Sequence, residues 1–229
     1  MKTVFIGNYW QTNNQQKEPI EWIVLKETDT EMYLLSKYVL DCVINGGYDD
    51  LYKNGWKDSL IRKWLNEVFL NKAFNKSEQD RIILSDVKTS NTFSWNGKLD
   101  SGTGVQDKLF LPSRAEAILY FGNEDDTIIE QKRIANVTRF AYEKGCCIRP
   151  LEYNEVLKKW VRAKNLTAKT VLKNDTYETD TATTCWSATW VLRSTKNNGF
   201  VVCEDGSIGC AYSPEYNFLG IRPAVWVKK

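Results

Sequence analysis

The sequence contains no histidine. That absence removes Ser-His-Asp and Cys-His nucleophilic catalysis, imidazole-ligated zinc and any histidine general base. No C-x-x-C pair occurs among the six cysteines, so thioredoxin-like redox chemistry and zinc knuckles have no support. No run of about 18 apolar residues is present to span a membrane. The opening residues 1–9 lack the long apolar core of a secretory signal, which makes the cytoplasm the expected compartment. Thirty-one Lys and Arg against 29 Asp and Glu leave a net charge of only +2, so no nucleic-acid-binding surface is expected. Gly102-x-Gly104 lacks the third glycine and the following helix of a phosphate loop. Asp49-Asp50 and Glu124-Asp125-Asp126 lack the spaced oxygen ligands of a calcium loop. No catalytic residue, metal or cofactor is assigned.

What the chain does have is aromatic area: nine Trp, eleven Tyr and nine Phe, against two Met. Such side chains carry large apolar surface on two torsions and suit rigid cores as well as binding faces. Cys42, Cys146, Cys147, Cys185, Cys203 and Cys210 read as reduced, mostly buried thiols, with Cys203 and Cys210 flanking a hairpin on which they can approach.

Periodicity divides the chain. Thr3–Gly7 is strand-like; Glu21–Glu27 and Glu31–Ser36 form a hairpin about Thr28-Asp29-Thr30. Leu60, Ile61, Trp64, Leu65, Val68 and Phe69 repeat as one helical stripe behind a cap at Asp58 or Ser59, and Ser77-x-x-Asp80 is a second cap candidate. Residues 90–104 read as a surface loop, and Lys108–Leu111 as a short strand. Ser113-x-x-Glu116 is a capping box opening a helix over 114–121. Asn136–Lys144 predicts a helix ended by Gly145, and Val156, Leu157, Trp160 and Val161 predict another over 152–165. Strands are expected over 186–194, 199–204, 207–211 and 221–227, with Asp205-Gly206 a tight turn. The result is a single α+β domain over residues 1–229, with 145–184 a candidate insertion.

Five segments in order carry a resemblance: Glu21-Trp22-Ile23-Val24-Leu25; Trp56-x-Asp58-Ser59-x-Ile61-Arg62-x-Trp64-Leu65-Asn66; Leu109-Phe110-Leu111-Pro112-Ser113-x-x-Glu116; Trp190-x-Leu192-Arg193-Ser194; and Gly220-Ile221-Arg222-Pro223-Ala224. Together they resemble a bacterial domain family of unknown function, over nearly the whole chain. That family is distantly similar to the C-type-lectin-like fold of formylglycine-generating enzymes and of the variable proteins of diversity-generating retroelements. The resemblance implies a C-type-lectin-like core: a small twisted antiparallel sheet, flanking helices and long ordered loops.

Trp22, Trp64, Leu65 and Trp190 are expected in the core. Arg62 and Asn66, one helical turn apart, are expected to hold a loop jointly. Arg193 and Arg222 sit among apolar neighbours and are expected to clamp carbonyls or a carboxylate such as Glu204 or Asp205, the alternative being recognition of a ligand carboxylate or phosphate. The expected function is non-catalytic binding of a protein, peptide or glycan. Its candidate ligand-binding residues are Asn197, Asn198, Tyr212, Glu215, Tyr216 and Asn217, in two loops rich in Asn, Ser and Tyr. The alternatives are a copper and cysteine oxidase on Cys203 and Cys210, implied by the formylglycine-generating resemblance, and a structural accessory domain.

Overall fold

The computed structural model describes residues 1–43, 47–89, 104–122, 132–157, 159–162, 180–181, 184–194, 199–211 and 218–229. The chain opens with strands β1 (Thr3–Trp10), β2 (Lys17–Glu27) and β3 (Glu31–Ser36), then the two-residue β4 (Asp41–Cys42). Helices α1 (Gly47–Asp58) and α2 (Leu60–Lys63) follow, then a π-helical segment (Trp64–Phe69), α3 (Leu70–Ala73) and α4 (Lys76–Arg81). β5 (Ser85–Lys88), β6 (Gly104–Asp107) and β7 (Leu109–Phe110) lead into α5 (Arg114–Phe121) and α6 (Arg139–Glu143). The rest is strand: β8 (Ile148–Asn154), β9 (Lys159–Arg162), β10 (Asp180–Thr181), β11 (Thr184–Ala188), β12 (Trp190–Val191), β13 (Gly199–Val202), β14 (Ile208–Ala211), β15 (Gly220–Ile221) and β16 (Ala224–Lys228).

The strands form open sheets, and the chain is α+β. The first sheet runs β1-β2-β3-β16-β7, antiparallel throughout, so the C-terminal strand lies between the N-terminal meander and β7. The second runs β14-β13-β12-β15-β4 and contains one parallel pair, β12 with β15. A third sheet is β10-β11-β8-β9, and β5 pairs with β6. Trp22, Leu34, Leu35 and Val225 of the first sheet pack with Leu51, Trp56, Ile61, Leu65 and Phe69 of the helices. A separate cluster around Trp186, Trp190, Leu192 and Phe200 joins the second sheet to β11 of the third. No helix among the described residues is long and apolar enough to cross a membrane.

Two short links carry the chain directly between the first two sheets, and Arg222 holds both crossings. Residues 37–40 link β3 to β4, and Arg222-Pro223 links β15 to β16. The Arg222 guanidinium donates from Nε to the Ser36 carbonyl at 2.7 Å and from Nη2 to Lys37 at 3.3 Å. It lies over the rings of Trp190 at 5.0 Å and Phe121 at 5.9 Å. Ser36 N–H donates back to Pro223, and Leu40 N–H to Ile221. Gly220 is there because the crossings touch: a Cβ on it would come 2.5 Å from Val39 Cγ1.

Several local expectations match the structure. The β2–β3 hairpin, the Ser113–Glu116 capping box and the 205–206 turn are present. Arg62 and Asn66 do hold one loop together. Arg62 Nε donates to Asp107 Oδ1 at 2.7 Å, while Asn66 accepts from Lys108 and Leu109 N–H and donates to the Leu109 carbonyl. Trp56 Nε1 donates to the same buried Asp107 at 2.9 Å.

Other expectations need correcting. The 60–69 stripe does not stay on one face, because the turn over Trp64–Phe69 widens and Leu70 N–H reaches back five residues to Leu65. Ile61, Leu65 and Phe69 are buried; Leu60 and Val68 are exposed, and Trp64 is half-buried rather than core. The second cap is Asn75, boxed with Glu78, in place of Ser77 and Asp80. The helix expected over 136–144 covers only Arg139–Glu143, capped by Thr138. The helix expected over 152–165 is the β8–β9 hairpin, with Val156 and Leu157 exposed at its tip. Asn154 Oδ1 accepts from both their N–H groups, a turn that competes with helix. The strand expected over 186–194 breaks into β11 and β12. Cys203 lies opposite Ser207, while Cys210 lies opposite Phe200. The three-residue offset separates their Cα atoms by about 10 Å along the strands, beyond the roughly 7 Å that a disulfide spans. The loop expected over 90–104 lies outside the described residues except for Gly104, which begins β6.

In urea denaturation, Trp56→Ala should cost about 3–5 kcal/mol, since it empties a buried site and removes one of the donors to Asp107, leaving only Arg62 among the described residues. Trp64→Ala should cost only about 1–2 kcal/mol, because part of that ring is already in water. Equal losses would mean that Trp64 is a core residue after all.

Candidate functional site

Three segments far apart in sequence converge beside the crossings. The end of β1 carries Tyr9, and the following Gln11 carbonyl accepts from Phe140 N–H at 2.8 Å. Val39 accepts from Thr138 N–H at 3.0 Å, tying the start of α6 to the strand leading into β4. Gly145 ends α6 at φ 101, a left-handed conformation suited to glycine, and there the Phe218 ring lies 3.2 Å from where a Cβ would stand. These ties bring Tyr9, Asp41 and Lys144 together.

Asp41 is fully buried and its carboxylate is well supplied with donors. Oδ2 accepts from Tyr9 Oη at 2.6 Å, and Oδ1 accepts from Cys42 N–H at 2.7 Å and from Lys144 Nζ. Burial and the neighbouring Asp41 charge push the Tyr9 hydroxyl far above its ordinary range, so it stays a donor. Lys144 balances the Asp41 charge while its side chain keeps 31% exposure. A bare carboxylate at this depth would be costly, and the pairing makes the site electrically neutral.

Above this floor is a cleft of about 240 Å³. Asp41, Cys42 and Lys144 give it a polar lining; Val43, Ile61, Trp64 and Ile221 line it with apolar surface, and exposed Leu60 completes it. A chain of ring contacts connects Trp64 to Lys144. Trp64 meets Phe69 at 5.4 Å, Phe69 meets Tyr9 at 4.7 Å, Tyr9 meets Phe140 at 5.8 Å, and Lys144 Nζ lies 5.3 Å from the Phe140 centroid. A concave apolar pocket with a few convergent polar groups on rigid strands is the ordinary form of a ligand site.

A second cleft, of about 170 Å³, holds Arg193 and Glu116 between Phe110 and Trp226. Here the arginine is a strut. It donates to the Lys88 carbonyl twice, to Leu111 at 2.7 Å, and to Glu116. Its carboxylate partner is therefore Glu116; Glu204 pairs with Arg149 instead, and Asp205 accepts from Ser207. Tyr33 is buried beside the pair, and burial and the Glu116 charge push its hydroxyl well up.

Cysteine chemistry is not poised among the described thiols. Cys42, Cys146, Cys147 and Cys203 are free. A hydrogen bond with Cys42, together with burial, pushes the Cys146 thiol well up, and burial raises Cys147 and Cys203. Three or more metal-ligating side chains do not cluster among the described residues.

Of the structural residues read from the sequence, Trp22, Trp190, Arg193 and Arg222 are buried and Arg62 is half-buried. The candidate ligand residues Asn197, Asn198, Tyr212, Glu215, Tyr216 and Asn217 lie outside the described residues. Where the second loop ends, Phe218 packs over Gly145 and its carbonyl accepts from Cys147 N–H, next to the Lys144 segment. Sequence reasoning missed Tyr9, Asp41 and Lys144. One signal was available: Asp41 is the only charge in the run Val39-Leu40-Asp41-Cys42-Val43-Ile44.

The family model for the domain of unknown function DUF6273 matches residues 29–229. The chain belongs to that family. Comparison with curated proteins and with solved structures returns no match.

Tyr9→Phe should leave the fold intact and cost about 1–2 kcal/mol in urea denaturation, the loss of a buried bond to a charged acceptor. No change at all would mean that Asp41 does not need the phenol. In brief alkylation of the folded chain, exposed Cys147 should label well before buried Cys42 and Cys146; labelling of all three at one rate would contradict the packing described above.

Proposed function

We propose that this chain is a non-catalytic binding domain with a C-type-lectin-like core, receiving its ligand at the cleft under Trp64. The observation that carries the reading is the half-exposed Trp64 lining one cleft with a neutral, pre-braced Asp41–Lys144 pair. Preorganised clefts of this kind bind without paying for ordering at the moment of contact. The C-type-lectin-like part draws on the C-terminal strand returning inside the first sheet, beside a separate small sheet that bears late hairpins.

The loops holding Asn197, Asn198, Tyr212, Glu215, Tyr216 and Asn217 belong to the same proposal. The second ends at Phe218, which packs over Gly145 beside Lys144, and the chain then runs on to Ile221 in the cleft lining. The partner is a protein, peptide or glycan, and recognition uses no metal or cofactor. The register of Cys203 and Cys210 gives a copper oxidase no support.

Arrays of immobilised glycans and of random peptides, probed with the whole chain, test the reading. A defined subset should bind. Trp64→Ala should weaken that binding by about tenfold or more, and Tyr216→Ala by about 1–2 kcal/mol with its melting temperature unchanged. Binding that survives Trp64→Ala in a cooperatively melting protein would remove the cleft from the account.

A further inference from the structure

We propose that the group received by the Trp64 cleft is a neutral hexopyranose unit of a glycan, its C–H face against the indole and its hydroxyls at the Lys144–Asp41 pair. This rests on the cleft being the binding site, and it names the chemistry that the site selects.

Charge is the first constraint. Lys144 is neutralised by Asp41, so a ligand anion would gain the ammonium only against the carboxylate behind it, and a cation would meet the reverse. Asp50, whose Oδ2 accepts from Leu60 N–H at 2.6 Å at the rim, adds a further negative charge on the approach. Ionic ligands therefore lose their hydration for little return.

The second constraint is hydrogen bonding. An ammonium has three donors, and Lys144 uses one on Asp41; among the described residues no hydrogen bond is recorded for the other two. A carboxylate has about four acceptor positions, and three donors reach Asp41. The floor thus offers donors and an acceptor side by side. A hydroxyl matches this, because it accepts from the ammonium while donating to the carboxylate. A purely apolar side chain of a peptide would instead cover the two ammonium N–H groups and leave them unsatisfied.

Shape is the third. Trp64 presents an indole beside Ile61 and Leu60, an apolar wall for ring C–H groups, and a cation, which an indole face also attracts, would meet the Lys144 ammonium in the same cleft. The volume of about 240 Å³ is below the roughly 300–1,000 Å³ of sites for drug-sized molecules, so one ring enters and its neighbours remain outside.

The indole N–H resonance of Trp64, assigned by its loss in Trp64→Ala, reads the cleft directly. The whole chain is titrated separately with glucose, galactose, N-acetylglucosamine, glucuronate and N-acetyl-leucinamide. At least one neutral sugar should move the resonance saturably, more tightly than glucuronate does. Leu60→Asn, on the exposed rim and harmless to folding, should weaken that sugar by about threefold to tenfold. Tighter binding of glucuronate, or a response to N-acetyl-leucinamide alone, would overturn the saccharide proposal while leaving the cleft as a binding site. No response to any probe would overturn both.

Discussion

The Arg222 guanidinium pins both of the direct links between the two five-stranded sheets. It is fully buried, has two carbonyls and two aromatic faces for company, and its third nitrogen Nη1 has no hydrogen-bond partner among the described residues. Burial pulls its pKa down to about 9. Hydrogen bonds to a charged donor are worth about 1.5–3 kcal/mol each, and burying the charge costs several kcal/mol. The two nearly cancel, so the importance of Arg222 lies in placement more than in net stability. It fixes where two strands leave one sheet and enter the other.

The candidate site depends on that placement. β4 is only two residues long, and it is held in place by β15, whose next residue is Arg222. Leu40 and Val43 N–H groups bond to Ile221 and Leu219, so Asp41 sits between two backbone ties to the pinned strand. α6 is then hung from Val39 and Gln11, and this brings Lys144 over Asp41. Rigidity therefore passes from the buried cation to the neutral pair and on to the cleft. The Arg193–Glu116 pair does the same work elsewhere, tying β5 to the start of α5.

Features with local causes could be read from the sequence. A capping box is decided within four residues, so Ser113 and Glu116 announced α5 correctly. The β2–β3 hairpin has its turn residues between two apolar runs. Misreadings arose where two local patterns competed. Val156, Leu157, Trp160 and Val161 have helical spacing, but Asn154 binds the backbone ahead of it and turns the chain into a hairpin. The π-helical turn has no sequence mark, so Trp64 was placed in the core although it walls the cleft. The site itself was illegible for a different reason: Tyr9, Asp41 and Lys144 span most of two sheets and a helix, and only tertiary contacts unite them. The lone carboxylate in an apolar run was the one trace left in the chain.

Hydrogen exchange of Arg222→Met, compared with the unaltered chain, tests this dependence most directly. The substituted side chain fills similar volume without the charge, so overall stability should change little. The amides of Leu40, Cys42 and Val43 should exchange about tenfold faster, while those of the β1–β2 ladder keep their protection. Unchanged protection at β4, or an equal loss across both sheets, would contradict the claim that Arg222 positions the site.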